Sequence, residues 1–138
     1  MFALGKYRAR QGTWPNGHVC SGLLRRDSAE VDHFVAWVLH PKGTAHDFIL
    51  AHGLCNNAKR DILAAERHVE HWLDRNASLG DDFANTMQQS GFVTDLETSI
   101  SVARWAYQQG VENSAHGWVE KKRLENLGDS CLDLFSGT

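Results

Sequence analysis

The hydrophobic pattern changes character along the chain. Residues 1–22 are punctuated by Gly5, Gly12, Pro15, Gly17 and Gly22, which reads as loop with weak structure near residues 2–8. The run AEVDHFVAWVL, residues 29–39, is rich in β-branched and aromatic side chains and predicts a strand. The stretch HPKGTAH, with Pro41 and Gly43, predicts a loop, and Phe48-Ile49-Leu50-Ala51 a second, short strand. Asn56-Asn57 then opens a helix, because an asparagine oxygen accepts the orphan N–H groups of a first turn. Ile62, Ala65, Val69, Trp72 and Leu73 fall on one face of that helix, which is expected to end near Asn76.

Downstream, only helices are expected. One covers residues 78–89 and stops at Ser90-Gly91. The next starts near Asp95, in the capping box Thr94-Asp95-Leu96-Glu97, and runs to about Gln109, before Gly110. A last helix, from about Ala115 to Leu127, takes in Trp118 and the basic run Lys121-Lys122-Arg123. The order is strand, loop, strand, helix, then helices, an α+β chain. Trp37, Trp72, Trp105 and Trp118 are expected in the core or between helices. His68 and His71 are expected as surface or packing histidines, and Cys131 as a plain thiol near a mobile end.

Composition bounds the class. The chain has 138 residues, 42% hydrophobic and 22% charged, with two prolines: one ordinary folded domain and not a disordered linker. No apolar run is long enough to span a membrane, and the first ten residues lack a signal peptide's apolar core, so the expected compartment is the cytoplasm. Three cysteines favour metal binding or buried thiols over a disulfide framework. The net charge of −3 argues against a nucleic-acid partner until it is divided. Residues 1–75 carry ten Lys or Arg against eight Asp or Glu; residues 76–138 carry four against nine. Seven of the eight histidines precede residue 72.

The chemistry therefore concentrates in residues 31–61, VDHFVAWVLHPKGTAHDFILAHGLCNNAKRD. Asp32 and His33 are adjacent polar residues in an apolar strand. Cys55-Asn56-Asn57 stands at a helix start, with Lys59 and Arg60 in the first turn. A hairpin followed by a helix can bring Asp32, His33 and Asn56 together. The carboxylate and amide oxygens suit a hard cation such as magnesium. The imidazole suits general-base work near neutral pH. A helix N-terminus with two cations suits a phosphate.

This order and spacing resembles the HNH nucleases, the ββα-metal or His-Me finger class, over roughly residues 17–75. That family has an Asp-His pair ending its first strand, here Asp32-His33. It has an Asn about fourteen residues after the His, where this chain has Asp47. It has a second Asn nine further on that opens the helix, here Asn56, with a Lys three beyond, here Lys59. The resemblance implies a ββα-metal core over residues 1–76, with residues 77–138 as an α-helical extension that packs on it or mediates association. It implies a metal-dependent endonuclease cutting DNA, either nicking it or cleaving both strands. His33 is then the base that deprotonates water. Asp32 and Asn56 hold one divalent metal: magnesium, with manganese, nickel or zinc acting in vitro. Lys59 and Arg60 contact backbone phosphates.

Two departures from the family pattern are visible. The family residue at position 47 braces the long loop and so holds the base; an ionised Asp47 accepts hydrogen bonds but donates none. His46 beside it is a candidate to compensate, and Asp47 is also placed to join the metal or orient His33. Many family members carry two Cys-x-x-Cys knuckles. Here they read Gly17-His18-Val19-Cys20 and His52-Gly53-Leu54-Cys55, so Cys20, His52 and Cys55, with His18 as a poorly spaced fourth, form a candidate structural zinc set. The competing picture is a decayed knuckle packed as small buried side chains. The expected partners are DNA, no membrane, and a second copy or another protein through the C-terminal helices. The alternative readings are a non-catalytic nucleic-acid or protein binding module that retains the ββα unit, and a small helical interaction protein.

Overall fold

The computed structural model describes residues 29–35, 46, 48–52, 57–120 and 122–136. The fold is α+β, with two small antiparallel sheets and three helices among the described residues. Strand β1, Ala29–His33, pairs with β2, Phe48–His52, in a register that sets Asp32 opposite Ile49 and His33 opposite Phe48. Both begin where the β-rich runs begin, but β1 ends at His33, where the chain bends at residues 34–35 and sends Phe34 and Val35 into the core. The expected loop over residues 1–22, and Trp37, lie outside the described residues.

The helix expected from Asn56 is divided. Residues 57–59 form a single helical turn, and Arg60 then takes a left-handed backbone with φ 52°. Helix α1 begins only at Glu66 and continues to Gln89, 24 residues and roughly 36 Å. The two helices expected on either side of Asn76 are thus one. The buried stripe Val69, Trp72, Leu73 and Asn76 continues through Phe83 and Met87 on the same side, and this burial outweighs the cost of Gly80 inside the helix, about 1 kcal/mol. The stop falls where expected. Gly91 adopts φ 88°, its N–H donates to Gln88 O, and Phe92 N–H donates to Met87 O, the paired bonds of a Schellman ending.

Helix α2, Leu96–Glu112, is capped by Asp95 and not by Thr94: the Asp95 carboxylate accepts from the backbone N–H of Thr98 at 3.0 Å and from its hydroxyl at 2.6 Å. These bonds hold the carboxyl below its ordinary range. Thr94 instead accepts a hydrogen bond from Gln88. Gly110 does not end the helix. It is buried, and a Cβ there would lie 3.1 Å from Leu63 Cδ1 and 3.3 Å from Leu127 Cδ1, so close packing accounts for it.

The expected fourth helix is a hairpin: β3, His116–Glu120, and β4, Arg123–Asn126. The run Gly117-Trp118-Val119 is buried as a strand, and Lys122, with φ 66°, makes the turn. Lys122 and Arg123 of the basic run therefore stand in a hairpin and not on a helix, with Arg123 beside Glu120 at 3.7 Å. Trp118 also bridges to the segment before α1: its N–H donates to Leu63 O at 2.8 Å, and its carbonyl accepts from Ala65 N–H at 2.9 Å. Helix α3, Asp129–Asp133, follows.

One core joins these elements. Phe34 stacks on Trp72, centroids 4.7 Å apart and planes within 6°, and on Tyr107 at 6.3 Å. Tyr107 packs on Phe135 at 5.8 Å and donates its hydroxyl to Ala64 O at 2.6 Å. The cluster runs from Phe34 to Phe135, and the boundary expected after residue 76 falls inside α1. Trp105 is 50% exposed and not in the core. Cys131 is fully buried in α3; burial, and secondarily the charge of Glu66, pushes its thiol up to about 11. Among the described residues no helix is long and apolar enough to cross a membrane.

Gly117 gives a direct test of the β3 packing. A Cβ there would meet Leu127 Cδ2 at 2.7 Å and the Ala65 Cα at 2.8 Å, and Ala65 is fixed by its bond to Trp118. Gly117→Ala is expected to lower stability by about 1–3 kcal/mol in urea titration. Gly128→Ala, with nothing within 4 Å of the new methyl, is expected to cost less.

Candidate nuclease site

The end of β1 is held from the far side of the chain by a buried lysine. Lys59 is fully buried, and its Nζ donates to the carbonyl of Phe34 at 3.4 Å. A buried ammonium is costly unless it meets acceptors, so this bond draws the helical turn at residues 57–59 onto the point where β1 ends. The Lys59 ammonium is thereby set against the residue that directly follows His33. His33 itself is half-buried, at the end of β1 with Asp32 before it.

The other sequence-named residues divide as follows. Lys59, expected at a phosphate, points inward; Arg60, beside it, is exposed. His52 pairs with Ala29, at the opposite end of the hairpin from His33, which places it about 13 Å along the strand from Phe48. Asp47, Asn56, Cys20, Cys55 and His18 lie outside the described residues. Among the described residues no group of three or more His, Cys, Asp or Glu is arranged to hold a metal.

A feature that sequence reading missed lies just before β2. The carbonyl of His46 accepts from Trp72 Nε1 at 3.0 Å, from Asn76 Nδ2 at 3.4 Å, and from Arg75 Nη2. Asn76 Oδ1 in turn accepts from Arg75 Nε at 3.0 Å and from Nη2 at 2.7 Å. Arg75 and Asn76 are both buried, with the guanidinium over the Phe83 ring at 5.4 Å. The sequence signal was present: Arg75-Asn76 extends a buried stripe, yet reads as the polar end of a helix.

The His46 ring packs against Phe83 at 5.1 Å, and its Nδ1 has no hydrogen-bond partner among the described residues. Burial, and then the Arg75 cation, push this imidazole down to about 4, with Asp95 opposing. His68 is also interior. Its Nε2 donates to Val119 O at 2.7 Å, which fixes the neutral tautomer, and burial lowers its pKa. It stacks on Trp118 at 6.0 Å and is a packing histidine; His71 is exposed.

Both buried histidines are neutral in the fold and take up protons on unfolding. Their contribution is fully present above the ordinary value of 6.5 and is lost as the pH falls toward the folded value, about 4 for His46. The urea midpoint is therefore expected to fall from pH 6.5 toward 4, and His46→Gln is expected to flatten part of that slope.

No family model, no curated protein and no solved structure matches this chain.

Proposed function

We propose that the chain is a metal-dependent endonuclease of the HNH, or His-Me finger, kind, hydrolysing DNA phosphodiester bonds. The observation that carries the reading is the Lys59–Phe34 bond. It sets Lys59, from the helical turn at residues 57–59, on the residue that follows His33 in an antiparallel strand pair, which supports a ββα reading.

The donor set fits a hard divalent cation, since Asp32 offers a carboxylate and Asn56 an amide oxygen. When bound, that cation neutralises charge on the phosphate and on the departing 3′ oxygen. His33 takes the proton from the attacking water, a role suited to a half-buried imidazole near neutral pH. Arg60, exposed and next in sequence to Lys59, meets a backbone phosphate and positions the duplex without reading sequence. Lys59 supports the strand end from inside.

Supercoiled plasmid with magnesium or manganese tests the reading. Wild type is expected to cut or nick, a chelator to abolish cutting, and His33→Ala to lower the rate by about 10²–10⁴-fold. Cutting that survives His33→Ala would remove the proposed base. Binding with no cutting in any divalent metal assigns the chain to the non-catalytic module instead. Arg60→Ala is expected to weaken DNA binding similarly for all sequences and to reduce the slope of log K against log salt by about 1.

A further inference from the structure

We propose that Trp72 and Arg75 of α1 are positioning residues for His33, bracing both strands of the pair that carries it. The inference rests on the nuclease reading for the meaning of His33, and on geometry for the brace.

Trp72 reaches both sides of that pair. Its ring lies flat on Phe34, the residue after His33, at 4.7 Å. Its Nε1 donates to the carbonyl of His46, two residues before Phe48, and Phe48 is the strand partner of His33. One rigid indole therefore ties the exit of β1 to the entry of β2. Arg75 donates to the same carbonyl and is itself held by Asn76.

A stable core does not by itself require this arrangement. A carbonyl oxygen has two lone pairs, yet three side-chain donors converge on His46 O. Two of those donors belong to buried polar residues that an apolar contact could replace. Such a cluster rigidifies one backbone position more than it adds stability. The position it fixes adjoins residue 47, where an aspartate cannot donate the hydrogen bonds of an asparagine. Donors supplied from α1 hold the backbone at His46 directly. The ring of His33 then inherits its placement from two fixed backbone points, one on each strand.

The test uses the full chain and two conservative variants. Trp72→Phe keeps an aromatic ring to stack on Phe34 and removes the N–H. Arg75→Lys keeps the charge and removes the planar fork. Each is compared with wild type in plasmid cleavage, in the His33→Ala background, and in the nuclear magnetic resonance signal of the His33 ring. Both are expected to lower kcat by about 10-fold to 10²-fold, the cost of a small misplacement of a reacting group, with KM little changed. In the His33→Ala background neither is expected to lower the residual rate further, because the brace acts through His33. The single His33 ring signal of wild type is expected to broaden or split in each variant.

An unchanged kcat, or an equal fold-loss with and without His33, would overturn the brace. If Trp72→Phe does not fold, Arg75→Lys decides by the same criteria. If wild type cuts no DNA, the nuclease reading fails on its own. The ring signal then decides the brace: splitting in the variants supports it, and identical signals overturn it.

Discussion

The contact on which the rest of the molecule depends is the flat stack of Trp72 on Phe34. Phe34 is available for it only because β1 stops at His33 and the chain bends. Trp72 is available only because α1 starts at Glu66 and so carries residue 72 on its inward stripe. Aromatic stacking of this kind adds about 0.5–1.5 kcal/mol beyond the area buried. Tyr107 extends the stack from α2, and Phe135 extends it from the segment after α3. The small β1–β2 pair has too few strands to stand alone, since an isolated two-stranded hairpin is marginal in water. Its stability comes from the helices, and the same contact fixes where its His33 end sits.

A second constraint follows from the first. Short strands and irregular connections leave carbonyls with no ladder partner, and buried carbonyls must be satisfied. Here side chains satisfy them across the fold. Lys59 donates to Phe34 O, His68 to Val119 O, Tyr107 to Ala64 O, and Trp72, Arg75 and Asn76 to His46 O. Each bond runs from a helical residue to backbone outside the helices. Among the described residues, the buried polar side chains are thus mostly structural clasps. Burial, and not these bonds, lowers the pKa of the His46 and His68 rings; the bond from His68 to Val119 O opposes the shift.

Local chemistry was legible in the sequence wherever one residue decides the outcome. β-branched density placed the starts of both early strands, and Gly91 placed the end of α1. What was not legible depended on distant partners. Gly110 looks like a helix stop, but it lies inside α2 because Leu63 and Leu127 approach it closely. Trp118 looks like part of a helical stripe, but its backbone is bridged to Leu63 and Ala65, so its segment is a strand. Lys59 and Arg75 look like solvated cations, and both are interior. Of the candidate site, the placing of Asp32 and His33 on the first strand was legible from the β-rich run, but the end of that strand at His33 was not, because the apolar pattern continues to Leu39. The clasp on His46 was not, because no spacing rule connects a helix stripe to a single carbonyl about thirty residues away.

The inward cations change the electrostatic argument. Residues 1–75 hold ten Lys or Arg against eight Asp or Glu, but Lys59 and Arg75 cannot touch a phosphate directly. Residues 76–138 are acidic, and part of their only basic run is engaged locally, Arg123 beside Glu120. Of the two cations expected at a phosphate, Arg60 is exposed and Lys59 is buried. Each phosphate neutralised contributes one counterion release to affinity, so a surface with few contacts binds weakly and with a shallow salt dependence. Lys59 and Arg75 serve the fold instead: each is turned inward and donates to a backbone carbonyl.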